Sequence, residues 1–158
     1  MTTRFTNLAN AAGLYQHMTG IEAYLKTTNI EPSLRHLVKL RVSQINGCAF
    51  CMAMHTEEAL QDGERIDRLS LLSAWRESTW FTDRERAALA WAETLTSIAS
   101  TEVDDALYAE VREQFDEKDL ADLTLLVIAI NGWNRIAIPF RSEPKSFEVP
   151  EQQRAAAD

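Results

Sequence analysis

Asn46-Gly47-Cys48-Ala49-Phe50-Cys51-Met52-Ala53-Met54-His55 is the stretch on which the reading of this chain turns. Asn-Gly between alternating strands marks a hairpin, whereas between helical runs it marks a helix break. Both flanks here read as helical, and no Asn-Gly or Asp-Gly elsewhere separates alternating strands. With five glycines and four prolines in 158 residues, the chain is poor in turn formers. The expected fold class is therefore all-α.

The same stretch holds the only two cysteines and one of the three histidines. On a helix, Cys48 and Cys51 (i, i+3) share a face with His55 (i+4 from Cys51). Thiolate is the reactive form of cysteine, and a helix N-terminus or a neighbouring base activates it. Cys48 follows Gly47 in the first turn, where the partial positive charge of the helix end favours a thiolate. Cys51 lies a turn deeper, with His55 within reach as a base. Local physics alone nominates Cys48 as the more acidic thiol. Zinc is an alternative occupant, because Cys48, Cys51, His55 and His36 make four ligands. One continuous helix would present three of them with strain. A structural disulfide is disfavoured, since so short a loop gains little on closure. Inert core cysteines are the bland alternative.

The length suits one domain with an ordinary core. No uninterrupted apolar run of membrane-spanning length and no secretory leader is read, so a cytoplasmic chain with no membrane partner is expected. In a reducing compartment a close cysteine pair is more often catalytic or metal-binding than structural. The net charge of −8 disfavours phosphate-backbone contacts, so nucleic acid is not an expected partner.

Outward from the central stretch, the first 28 residues read as one helix, or two broken near Gly20, with Tyr15, Met18, Ile21 and Leu25 on the apolar face. Pro32 suits the first turn of a helix to about Gln44, buried through Leu34, Leu37, Val38, Leu40 and Ile45. Asn46 is the expected cap of the cysteine helix, which runs to about Gln61 before Gly63 stops it. A short helix over Ile66 to Ala74 follows. Thr82-Asp83-Arg84-Glu85 is a capping box opening a helix to about Ile98. Further helices span Asp104–Gln114 and, apolar nearly all round, about Lys118–Ala137. Trp75, Trp80 and Trp91 are expected anchors of the core or an interface. Asn131, Asn134 and Arg135, on an apolar helix, need polar partners. Residues 1–140 are expected to form the domain and 141–158 a polar arm or tail.

Leu40-Arg41-Val42-Ser43-Gln44-Ile45-Asn46-Gly47-Cys48-Ala49-Phe50-Cys51, followed by His55-Thr56, resembles the core motif of the alkylhydroperoxidase D-like branch of the carboxymuconolactone decarboxylase family. Thr82 to Leu89 and Asn131 to Ala137 extend the likeness, which spans about Pro32 to Pro139. The resemblance implies an alkylhydroperoxidase D-like helical bundle that forms homotrimers or homohexamers, with the motif helix near a subunit boundary. It implies a thiol peroxidase acting on peroxide substrates, with Cys51 as the attacking thiol, Cys48 resolving it, and His55 in the proton relay. A dithiol partner of unidentified nature would reduce the pair, with no cofactor and no metal. Two positions depart from the pattern: His36 stands where the family has a glutamate, and Phe50 where it has a histidine. His36 is accordingly the fourth candidate site residue. A non-peroxidase dithiol module that senses redox state or binds a ligand is the alternative. Lactone decarboxylation comes third, since that chemistry has no use for a thiol pair.

Overall fold

The computed structural model describes residues 2–4 and 8–150, the side chains of residues 8 and 9 excepted. Among the described residues every regular element is helical. After a 3-10 turn at Leu8–Ala11 come α1 (Ala12–Leu25), α2 (Pro32–Asn46), α3 (Ala49–Gln61) and α4 (Ile66–Ser70). A 3-10 segment (Leu72–Glu77) then leads to α5 (Asp83–Thr96), α6 (Asp105–Gln114) and α7 (Glu117–Phe140).

Local chemistry explains most boundaries. Pro32 opens α2, and Gly47, at φ 70°, closes it in the left-handed conformation that glycine adopts without a Cβ penalty. Thr82 and Glu85 form the reciprocal capping box that opens α5. Asp104 and Asp116 cap α6 and α7 through their carboxylates. Gly20 does not break α1, which runs through it uninterrupted; residues 1 and 5–7 of the expected first helix lie outside the described residues. The Ile66–Ala74 helix is instead α4 followed by the 3-10 segment.

Asn46 does not cap the cysteine helix. It is the last residue of α2, and Cys48 takes the cap, its Sγ accepting the Cys51 backbone N–H at 3.3 Å. α2 and α3 thus form a tight antiparallel hairpin about Gly47, tied further out by His36 Nε2 and Asp62 Oδ2 at 2.7 Å.

α2 is the central element, packed on α3, α5 and α7. Its buried stripe includes Leu34, Leu37, Val38 and Val42, at spacings of three and four residues. Ile45, expected in that stripe, is exposed beyond the packed length. The main core gathers residues of α1, α2, α5, α6 and α7, including Leu25, Val38, Trp91, Val111, Leu123 and Ile130. A second cluster joins α2, α3 and α5 around Leu37, Leu60, Trp75 and Leu89, with Phe147 and Val149 packed against it. Trp80, by contrast, is 47% exposed.

α7 extends through Pro139 to Phe140. By length and composition alone it is apolar enough to cross a membrane, which the sequence reading did not foresee. In the fold it packs against α1, α2, α3, α5 and α6. Its buried Asp122 is paired, accepting from Tyr24 Oη at 2.8 Å and from Lys118 Nζ, one turn earlier on the same helix, at 2.7 Å.

Candidate redox active site

The hairpin about Gly47 is held to α7 by a polar network. Asn46 Nδ2 donates to Asn131 Oδ1 at 3.0 Å and to Asn134 Oδ1 at 2.8 Å. Asn134 Nδ2 donates to Ser43 Oγ at 3.1 Å, and the Ser43 carbonyl accepts the Cys48 N–H at 3.0 Å. Ser43 and Asn134 are buried, so each bond replaces one lost to water. The path from α7 through Asn134 and Ser43 to Cys48 fixes where the cysteine helix begins.

Cys48 and Cys51 form a disulfide, with a Cα–Cα separation of 5.3 Å. Both are buried, in a small cluster with Ala137 of α7 and the half-buried Phe50. One turn on, His55 is buried as well, with Nδ1 2.8 Å from Glu58 Oε2. Burial pushes the imidazole below its ordinary pKa despite the hydrogen bond to Glu58, which opposes that shift. Glu58 is held below the usual carboxylate range chiefly by its hydrogen bond to His55. A neutral imidazole beside an ionised carboxylate donates through Nδ1–H, which leaves the lone pair on Nε2. Among the described residues, His55 Nε2 is the buried side-chain polar atom left without a hydrogen-bond partner. An unsatisfied buried acceptor costs roughly 1–3 kcal/mol, so its retention calls for a role.

Cys51, His55 and Glu58 line one cavity of about 710 Å³ between α1, α2, α3 and α7. Its apolar wall includes Phe50, Met54, Trp133 and Ile136. Tyr15 lies against Trp133, with ring centroids 5.8 Å apart. On the polar side Glu22 accepts from Lys39 Nζ at 2.5 Å and from Trp133 Nε1 at 3.1 Å.

Of the sequence-derived candidates, Cys48, Cys51 and His55 come together. His36 lines the same cavity, but its Nε2 is bonded to Asp62. Among the described residues no three His, Cys, Asp or Glu side chains gather as a metal ion would require. Glu58 was missed, although a carboxylate three residues after a helical histidine is a signal that could have found it. Two further carboxylates with strong partners, Glu85 and Glu93, lie outside the cavity. Glu85 completes the capping box and pairs with Arg68 at 2.6 Å. Glu93 accepts from Arg41 Nε at 2.6 Å, from Trp75 Nε1 at 2.9 Å and from Arg76. Burial raises the Glu93 pKa, but those donors outweigh it and hold the group ionised.

The model of the carboxymuconolactone decarboxylase family matches residues 11–94. YdfG, an uncharacterised protein of Bacillus subtilis, is 46% identical over 121 residues, which are 77% of this chain and 82% of that protein. A solved structure from Agrobacterium tumefaciens, of unknown function with an AhpD antioxidant-defence role suggested for it, is 37% identical with a TM-score of 0.87. The match covers 92% of this chain and 99% of that one. The debrominase Bmp8 superposes with a TM-score of 0.78 at 18% identity, over 94% of this chain and 77% of its own, which is a likeness of fold.

Proposed function

This chain belongs to the alkylhydroperoxidase D-like branch of the carboxymuconolactone decarboxylase family, and from that premise we propose that it is a thiol-dependent hydroperoxide reductase. The observation that carries the reading is the Cys48–Cys51 disulfide beside a cavity into which a buried, neutral and unpartnered imidazole is set. Cys51 lines that cavity, which favours it over Cys48 as the attacking thiol.

In the reduced protein, His55 Nε2 takes the Cys51 proton while Glu58 holds Nδ1–H. The Cys51 thiolate attacks the distal peroxide oxygen. The O–O bond breaks, the alkoxide leaves and takes a proton from His55 Nε2, and Cys51 becomes a sulfenic acid. The Cys48 thiol attacks that sulfur, water leaves, and the disulfide forms. Two thiols have lost two electrons, and the hydroperoxide has become an alcohol and water. An external dithiol of unidentified nature returns the electrons by thiol–disulfide exchange. His36 assists in this scheme from the same cavity, near enough to Glu58 to help lower its pKa. Cytoplasmic location and a homo-oligomeric state belong to the same proposal.

Cys48 and Cys51 are nearly inaccessible, at 2% and 1% exposure, which favours a dithiol module without peroxidase turnover as the second reading. The test is turnover of cumene hydroperoxide by the chain with excess dithiothreitol. A peroxidase loses turnover in Cys51→Ser, and pre-reduced Cys48→Ser given hydroperoxide after the dithiothreitol is removed holds a dimedone-reactive sulfenic acid on Cys51. Wild-type protein that turns over no hydroperoxide overturns the reading in favour of the second.

A further inference from the structure

Hydrogen peroxide needs little room, roughly twice the ~30 Å³ share of one water. The cavity beside Cys51 holds about 710 Å³ and is walled by aromatic and aliphatic side chains, which suits a much larger apolar substrate. Its polar groups are not spread evenly. α3 runs from Cys51 to Gln61 along the cavity, about 15 Å at 1.5 Å per residue. Phe50 and Ala137 pack with Cys51 and Met54 follows it on α3, whereas Arg35, next to the His36 that bonds Asp62, lies toward the Gln61–Asp62 end with Lys26 beside it.

Three observations put those two cations there together. Arg35 precedes His36, which is bonded to Asp62 at the open end of the α2–α3 hairpin. The Arg35 guanidinium donates through Nη1 to the Leu25 carbonyl at 3.3 Å and to the Ile30 carbonyl at 2.7 Å, beside Lys26. Both residues line the cavity. The carboxylates of the lining are already engaged: Glu22 with Lys39, Glu58 with His55, and Asp62 with His36. Among the described residues neither Lys26 nor Arg35 has a carboxylate within ion-pair distance. Nη1 uses two of the five guanidinium N–H donors of Arg35, and the Nε and Nη2 donors remain for a ligand. Formal charges of the lining balance, so the case rests on placement rather than on net charge. Helix-end chemistry explains part of this pattern, since a cation suits the C-terminus of α1. That chemistry does not require either side chain to line an apolar cavity leading to a reactive sulfur.

The geometry points to a carboxylate-bearing alkyl hydroperoxide, a fatty-acid hydroperoxide, as the substrate class of this cavity, with Arg35 and Lys26 on the carboxylate and the chain reaching back toward Cys51. The inference rests on the hydroperoxide reductase reading for its chemistry, but not for its binding. The reaction is the one written above. The fatty-acid hydroperoxide becomes the hydroxy acid and water, and the two electrons come from the Cys48 and Cys51 thiols. Arg35 and Lys26 are positioning residues that touch no reacting atom.

The test pairs binding with turnover in the full chain. Calorimetric titration with dodecanoate and with methyl dodecanoate isolates the carboxylate. Initial rates with linoleic acid hydroperoxide and its methyl ester do so for catalysis. Dodecanoate is expected to bind roughly ten-fold tighter than its ester, and kcat/KM is expected to favour the free acid by a similar ratio. Both ratios fall toward one in Lys26→Gln/Arg35→Gln. Lys26→Gln alone, at an exposed position, gives a partial fall and guards against a folding defect in the double variant. Equal binding of acid and ester, or binding of neither, overturns the inference. Turnover of cumene hydroperoxide with no preference for the acid also overturns it, yet leaves the reductase reading standing. Selective binding of dodecanoate without oxidation of either thiol by linoleic acid hydroperoxide keeps the carboxylate site and overturns the reductase reading.

Discussion

At His55 the tautomer is set by Glu58: with Nδ1–H donated to the carboxylate, Nε2 keeps its lone pair inside the cavity wall. Removing the base in His55→Asn is expected to lower kcat/KM for hydroperoxide on the order of 10²–10⁴-fold. Glu58→Gln should cost roughly 10²-fold or more, because an amide can donate to Nδ1 and force the proton onto Nε2. Steady-state rates at pH 7 check both, and a Glu58→Gln rate within two-fold of wild type removes Glu58 from the relay. The histidine also leaves a mark on stability. Its folded pKa lies below the ordinary 6.5 because burial disfavours the charged ring. Below pH 6.5 the unfolded chain therefore binds a proton that the folded chain refuses, and stability falls as pH falls from there. Urea midpoints between pH 7 and 5 should decline less steeply in His55→Gln than in wild type, with the disulfide intact in both. Parallel slopes would mean that His55 is charged in the folded state. Part of this site is legible in the sequence, since Cys48, Cys51 and His55 lie within two turns of one another. Glu58 lies on the same helix but carries no mark beyond its i+3 spacing, because surface helices are rich in glutamates. The partnering of His36 with Asp62 depends on α3 folding back along α2, which no local pattern states.

Helix boundaries divide by the same criterion of locality. The Thr82–Glu85 capping box is written in four consecutive residues and forms as read. Thr82→Ala should cost about 1 kcal/mol in urea unfolding, while Asp83→Ala, outside the reciprocal pair, should cost less. Asn46 misleads because its residue type suits a cap, yet Gly47 in the left-handed conformation closes α2 only after it. Its amide goes to Asn131 and Asn134 on α7 instead. That network is a tertiary fact, and only the need for some partner was readable from Asn134 on an apolar helix. Asn134→Ala takes one hydrogen bond from the Asn46 amide and one from the Ser43 hydroxyl, which keep their bonds to Asn131 and to the Lys39 carbonyl, and a loss of about 0.5–1.5 kcal/mol for each bond removed is expected. A loss under 0.5 kcal/mol in the urea series would show that water replaces the amide at no cost.

For the molecule as a whole, α7 has more apolar surface than one chain covers. Ile128 is 57% exposed and Ile138 45%, and Tyr108 on α6 is 47% exposed. Leu125 and Ile128 share a shallow cleft with Tyr108 and Trp91. Apolar patches of this kind mark association surfaces. On the homo-oligomer expectation, sedimentation velocity should give a species several times the 17.9 kDa chain mass. Ile128→Lys should shift it toward one chain mass, and a wild-type monomer at tens of micromolar removes the expectation. The all-α class was legible from periodicity and from the scarcity of turn formers, because each is a local property summed along the chain. The cavity was not, because its wall brings together Tyr15, Lys39, Cys51 and Trp133 from four different helices. The central claim of the account is that Cys48 and Cys51 are oxidised by hydroperoxide through Cys51. It is tested most directly by adding one equivalent of cumene hydroperoxide to the pre-reduced chain in stopped flow and counting free thiols afterwards. The account predicts rapid loss of two thiols per chain with one alcohol formed, and no loss of the single remaining thiol in Cys51→Ser. Two thiols that survive a hundred-fold excess of peroxide would contradict it.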